Sequence, residues 1–141
     1  MKRVLPARAA IAAACIISGV AAAACASHAP DAVLADTRWT VASIDGEAVD
    51  ERAPSIEFSG DRVSGSGGCN RYFGRYEVTG AETIVIDGVG STEMACEPTE
   101  VMAREQAFLS ALDAARRYRR DGDQLTLSAV AGRTIVLQRA S

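Results

Sequence analysis

The stretch SGSGGCNRYFGRY, Ser64 to Tyr76, sets four glycines, a Cys and an Asn between segments that alternate apolar and polar residues. Three readings compete for it: a phosphate cradle, a reactive thiol, or a corner in a sheet. A phosphate cradle needs backbone N–H groups at the start of a helix, a correctly spaced glycine set and often a Lys. The run Gly65-Ser66-Gly67-Gly68-Cys69-Asn70 lacks the third glycine of the dinucleotide fingerprint and leads into strand residues, and the chain's one lysine is Lys2. These points argue against a nucleotide site. Glycine after a strand more often supplies positive φ or a bulge. Here it lets the chain bend so that Cys69 points toward Cys96, and the corner reads as structural.

Working outward, the flanking residues alternate as strands. Trp39 to Ile44 is one, closed by the turn pair Asp45-Gly46. Ser55 to Ser59 follows Pro54 and places Ile56 and Phe58 on one face; Gly60-Asp61 turns the chain into Arg62 to Gly67. Tyr72 to Thr79 sets Tyr72, Gly74, Tyr76 and Val78 on one side, and Thr83 to Ile86 ends at the turn Asp87-Gly88. After Pro98 the period changes. Val101, Met102, Phe108, Leu109, Leu112 and Ala115 recur at helical spacing, Pro98 suits the first turn, and Glu100 stands four residues before Arg104 in the favourable order. Strand pattern then returns at Tyr118 to Arg120, with a hairpin of Leu125 to Ala129 and Thr134 to Arg139. The expected class is α+β: one small domain with a strongly curved, barrel-like antiparallel sheet and one helix before the last strands.

The start of the chain has a different character. Lys2, Arg3 and Arg8 precede a charge-free, Ala-rich run from Ala9 to Ala24. That run is shorter than the roughly 20 residues of a membrane span and has the layout of a secretory leader. It ends in Ala22-Ala23-Ala24-Cys25, which resembles the lipobox of bacterial lipoproteins, with Ala22 where Leu is usual. The expected organisation is a signal over 1–24, a tether over 25–36, and a folded domain over 37–139. Lipidation of Cys25 with palmitate-type chains is expected to tie the protein to a membrane, since several acyl chains anchor stably where one does not. Ordinary cleavage near Ala24 or Ala26 is the alternative. Ala26 after the Cys favours the outer membrane, facing the periplasm. Removing the leader takes three basic residues and no acid, so the net charge moves from −3 to −6, an unsuitable balance for nucleic acid.

Four cysteines stand at 15, 25, 69 and 96. Cys15 leaves with the leader and Cys25 is the lipidation candidate. In an oxidising compartment the remaining pair most simply forms a disulfide, closing a loop worth about 3 to 4 kcal/mol in the chain-entropy model. Two buried thiols are the competing reading.

The run VSGSGGCNRYFGRYEV, then STEMAC, Glu105-Gln106-Ala107-Phe108-Leu109 and the closing DGDQLTL resemble the META domain, also called the HslJ-like heat-shock family. Trp39 near the domain start fits, and the resemblance covers nearly all of 37–139. It implies a compact α+β domain in secreted or lipid-anchored envelope proteins linked to stress, with no established catalytic residues. Gly65, Gly67, Gly68, Asn70, Gly74 and Glu105 form its structural motif here.

Other chemistry is sparse. His28, the one histidine, falls in the tether, so no histidine triad or zinc cluster can be assembled in the domain. Asp121-Gly122-Asp123 reads as a turn because the remaining calcium-loop acids are missing. Asp45, Glu47, Asp50 and Glu51 read as a solvated loop. Arg116, Tyr118 and Arg120, if extended, share one face and make a candidate strip for a phosphate-bearing polymer or lipid headgroup; Arg117 and Arg119 face the other way, and an ordinary strand is the plainer account. Glu105 falls close to the helix's apolar stripe and should need a donor there, either the glycine-loop backbone or Arg71 or Arg75. The expectation is a monomeric, non-catalytic envelope module without metal or cofactor, binding an envelope protein, glycan or lipid under stress. The alternative is an inhibitor of a hydrolase such as lysozyme or a protease.

Overall fold

The computed structural model describes residues 33–141; the leader, Cys25 and His28 lie outside them. Nine strands and one helix follow in the order β1 (Thr37–Ile44), β2 (Glu47–Ala48), β3 (Ser55–Ser59), β4 (Arg62–Ser66), β5 (Arg71–Gly80), β6 (Thr83–Ser91), α1 (Thr99–Ala114), β7 (Arg117–Asp121), β8 (Gln124–Ser128) and β9 (Thr134–Arg139). Every pairing is antiparallel, and β1 pairs with both β3 and β9. The sheet therefore closes into an eight-stranded barrel, with the two-residue β2 hung on β1. Closure removes the exposed edges that an open sheet of this length would offer to other chains.

The alternation read from the sequence places the inward side chains. Tyr72, Tyr76 and Val78 on β5 are buried while Arg71, Phe73, Arg75 and Glu77 between them are exposed. Trp39, Phe58, Leu125, Leu127 and Leu137 join them with essentially no exposed surface, so packed side chains fill the barrel, as expected for eight strands. Phe58 meets Tyr76 edge-on with ring centroids 4.8 Å apart. The weakest seam is between β6 and β7, where Thr83 and Arg117 form the single register pair. The chain leaves the sheet there to form α1.

Helix α1 begins after a cis Glu97–Pro98 peptide, with Pro98 at the N-cap. Its buried face is Val101, Glu105, Phe108, Ala111 and Leu112, and Phe108 docks edge-on against Tyr72 at 5.4 Å. Burying each large apolar side chain of this face contributes about 1.5 to 3 kcal/mol. Met102, expected in the apolar stripe, is exposed, and Leu109 is half-buried; with a hydrophilic residue, Glu105, on the buried face, the stripe lies further round the helix. Arg104 does not reach Glu100: its guanidinium donates to the Glu51 carbonyl at 2.8 Å. The expected tether also ends earlier than Asp36. Leu34 is completely buried, its carbonyl accepts from Thr37 Oγ1, and the Val33 carbonyl accepts from Arg120 at 2.7 Å.

Among the described residues, no helix is long and apolar enough to cross a membrane.

Candidate functional site

The glycine-rich link between β4 and β5 is built around one carboxylate. Glu105 comes from the middle of α1, is only 6 % exposed, and projects into the loop. Its Oε2 accepts from the backbone N–H of Cys69 at 3.0 Å and of Asn70 at 2.6 Å, and its Oε1 accepts from Asn70 Nδ2 at 2.7 Å. Of the two donor sets expected for this acid, the structure uses the loop backbone. The remaining loop donors are occupied as well: Gly67 N–H reaches the Asn70 carbonyl at 2.8 Å and Gly68 N–H reaches Ser66 Oγ at 3.1 Å. Successive N–H groups converging on an anion form a nest. This nest exists, and the chain fills it with its own acid.

Glycine at 67 is dictated by that acid. A Cβ on Gly67 would stand 2.5 Å from Glu105 Oε2, so no other residue lets the carboxylate approach. Gly68 has φ +115°, a conformation that side chains with a Cβ rarely adopt.

Asn70 carries the connection onward. Its Oδ1 accepts from Thr92 Oγ1 at 2.8 Å and from Met94 N–H at 2.7 Å, while Nδ2 donates to the Met94 carbonyl at 3.2 Å as well as to Glu105. A buried amide with every lone pair and proton engaged rigidifies what it touches. Here it fixes the extended segment Thr92–Glu97 against the corner. Cys69 and Cys96 are joined by a disulfide with Cα atoms 5.9 Å apart, which ties the same segment covalently just before α1. Tyr72 completes the corner by donating its hydroxyl to the Ser55 carbonyl at 2.8 Å; burial pushes its phenol above the ordinary tyrosine range.

Gly65 lies beside the corner on β4, where a Cβ would strike the Ser55 carbonyl; Gly67, Gly68, Asn70, Glu105 and the two cysteines thus meet in one place. Gly74 does not. It sits in β5 opposite Val63, beside the β5–β6 register shift. Thr92 and Met94 fall within the STEMAC run, but their part in the network was not legible there, because they enter it through a loop conformation, Met94 by its backbone.

The strip of Arg116, Tyr118 and Arg120 is a correction. Tyr118 is buried, and Arg116 lies before β7, donating to the Asp113 and Ala115 carbonyls at the end of α1. Arg120 bonds to the Val33 and Gly122 carbonyls and lies 5.5 Å from the Trp39 ring centroid. All three hold the domain's own elements, so no ligand strip forms there. Asp121 ends β7, and Gly122-Asp123 forms the turn to β8. Among the described residues no cluster of three or more potential metal ligands exists.

A second acid departs from the solvated loop expected of it. Asp45, in the β1–β2 turn, accepts from Arg133 at 2.9 Å and from the Thr134 N–H at 2.9 Å. Arg133 also donates to the Ala107 carbonyl and Ser110 Oγ of α1. The Thr134 N–H and then the Arg133 guanidinium hold the Asp45 carboxyl below its ordinary range.

These features define a closed antiparallel barrel with one packed helix, whose most polar buried site fastens the fold. The META domain model matches residues 32–141, and the chain belongs to the META domain family. An NMR structure of a protein from Burkholderia xenovorans is similar with TM-score 0.67 and 25 % identity, over 96 % of this chain and 97 % of that one. A second NMR structure matches with TM-score 0.63 and 24 % identity, over 77 % and 92 %. The crystal structure of a DUF4847 family protein from Bacteroides vulgatus shares the fold at TM-score 0.58 and 15 % identity, over 78 % and 96 %. No curated protein matches the chain.

Proposed function

We propose that this is an exported, non-catalytic module of the bacterial cell envelope, anchored by lipid on Cys25 and facing the periplasm of the outer membrane, where it binds or stabilises an envelope component under stress. The observation that carries the reading is the Cys69–Cys96 disulfide at the corner, because such bonds persist in oxidising compartments, taken with the leader-like start of the chain. The non-catalytic part is supported by the corner's chemistry: its N–H groups and the Asn70 amide are spent on Glu105, Thr92 and Met94. Intact-mass analysis of the protein from bacterial envelope fractions, after growth with an alkyne fatty acid, tests it. The expected product begins at Cys25, carries acyl chains and has no free thiol at Cys69 or Cys96. An uncleaved leader, or both thiols alkylated in living cells, contradicts it.

One observation favours the second reading, inhibition of a hydrolase. Met94 is 61 % exposed on a segment held from behind by Asn70 and the disulfide, and rigid presentation of a side chain lowers the entropic cost of binding. Capture of a hydrolase from envelope extract, with its turnover restored by Met94→Asp, would support it; capture unaffected by that change would not.

A further inference from the structure

The largest exposed aromatic side chain lies on the outer face of the barrel. Phe73 in β5 is 62 % exposed. Its register partners are Ser64 on β4 and Gly90 on β6, neither of which can cover a ring. A Cβ built on Gly90 would stand 3.3 and 3.4 Å from Phe73 Cε2 and Cζ, so the ring leans over Gly90 and lies along the sheet. The ring tip thus packs over Gly90, and most of the side chain stays open to solvent.

Arginines flank it. Arg71 and Arg75 stand two residues away on either side along β5, about 7 Å from Phe73 by strand geometry, and share its outward direction. Arg62 on β4 is directly opposite Arg75. Like charges facing each other across strands are destabilising, and among the described residues none of these three guanidinium groups forms an ion pair or hydrogen bond. Asp87 is in register with Arg75 without pairing, and Asp61 and Glu77 line the same hollow beside Arg75, so the cationic side of the patch runs the other way, from Arg62 past Ser64 to Ser66 opposite Arg71. The other basic run behaves differently, with Arg116 and Arg120 occupied by carbonyls and Arg117 by Glu82.

We propose that this face of β4, β5 and β6 binds a carboxylate-bearing glycan strand, with a pyranose ring stacked on Phe73 and acid groups held by Arg62, Arg71 and Arg75. Unpaired guanidinium forks match carboxylate geometry, and an anion between Arg62 and Arg75 relieves their repulsion. A ring laid on the sheet is placed to stack on another ring. A membrane-inserting aromatic would instead project from the surface. The proposal does not depend on lipidation at Cys25.

Calorimetric titration of the purified full-length chain tests it, using alginate oligomers as the polyuronate probe beside dextran oligomers, oligothymidylate and phosphatidylglycerol vesicles. Saturable alginate binding that weakens with salt is expected, with none to dextran. Phe73→Ala and the double variant Arg62→Gln/Arg75→Gln should each weaken it about tenfold, the scale of one stacking contact, while Arg119→Gln changes nothing. All these side chains are exposed, so melting temperatures should hold and separate lost binding from lost folding. Absence of alginate binding, affinity unchanged in the Phe73 and Arg62/Arg75 variants, tighter binding to oligothymidylate, or vesicle binding that these same variants weaken would overturn the proposal.

Discussion

Two carboxylates fasten this barrel to its helix, and they do so with different force. Glu105 reaches from α1 into the β4–β5 link and is 6 % exposed. Asp45 reaches from the β1–β2 turn to the β9 backbone and to Arg133, and its side chain is 40 % exposed. Both accept a backbone N–H and a side-chain donor. Burial separates them. Water can replace Asp45 for its donors, whereas nothing can replace Glu105 for the amides of Cys69 and Asn70. An acid's contribution to stability depends less on how many bonds it makes than on what its donors would face without it.

Glu105→Ala should produce the largest effect of any change at the two sites. It strands two backbone donors and one amide proton in a buried corner and leaves a cavity, a loss of about 3 kcal/mol or more, read as a Tm lower by roughly 12 °C. Glu105→Gln keeps the shape and one acceptor and should lose about half of that. A loss under about 0.5 kcal/mol for Glu105→Ala would erase the distinction between the sites.

Reduction of the Cys69–Cys96 bond comes next. Releasing that loop should lower stability by about 3 kcal/mol in the chain-entropy model, measured by denaturant unfolding with and without reductant. Because Asn70 also holds the segment before α1, the reduced protein should remain folded.

Gly67→Ala sharpens the comparison through coupling. The added methyl collides with Glu105 and should cost about 1 to 3 kcal/mol. In the Glu105→Ala background most of that cost should vanish, giving a coupling energy of about 1 kcal/mol or more. Additive losses would mean that glycine is required at 67 for a reason other than the acid.

Asp45→Asn should be the mildest. Its folded carboxyl titrates below its ordinary value, so the stability it confers is complete above about pH 4, the unfolded pKa. That contribution is lost as pH falls through the folded pKa. Thermal melts should therefore separate wild type from Asp45→Asn slightly at pH 7 and converge at the most acidic pH where both remain folded. Divergence on acidification would reverse the sign of the argument.

Much of the fold was legible because its signals are local. Period-two alternation in β3 and β5, turn pairs at Asp45-Gly46 and Asp87-Gly88, and the change of period after Pro98 each arise within a few residues. The glycine corner was legible as a corner, and Glu105 stood out as a charge too close to an apolar stripe. The partners of the corner were harder to read. Thr92 and the Met94 backbone join it through long-range loop geometry, and Asp45 meets Arg133 across 88 positions of sequence. The misplaced arginine strip has the same origin. Alternation says which side chains share a strand face, but Arg120 is held by Val33, a residue expected in the tether, and Arg116 by the end of α1. Leu34 was missed because a single apolar residue before the first strand carries no period.

Amide hydrogen exchange at Cys69 and Asn70 reads the anion nest directly. In the wild-type protein these two N–H groups should exchange as slowly as the core amides of Val63 and Leu127, and in Glu105→Gln they should exchange markedly faster while those core amides keep their protection. Fast exchange in the wild type, or protection at Cys69 and Asn70 that survives the substitution, would show that the helix carboxylate is not what closes the loop.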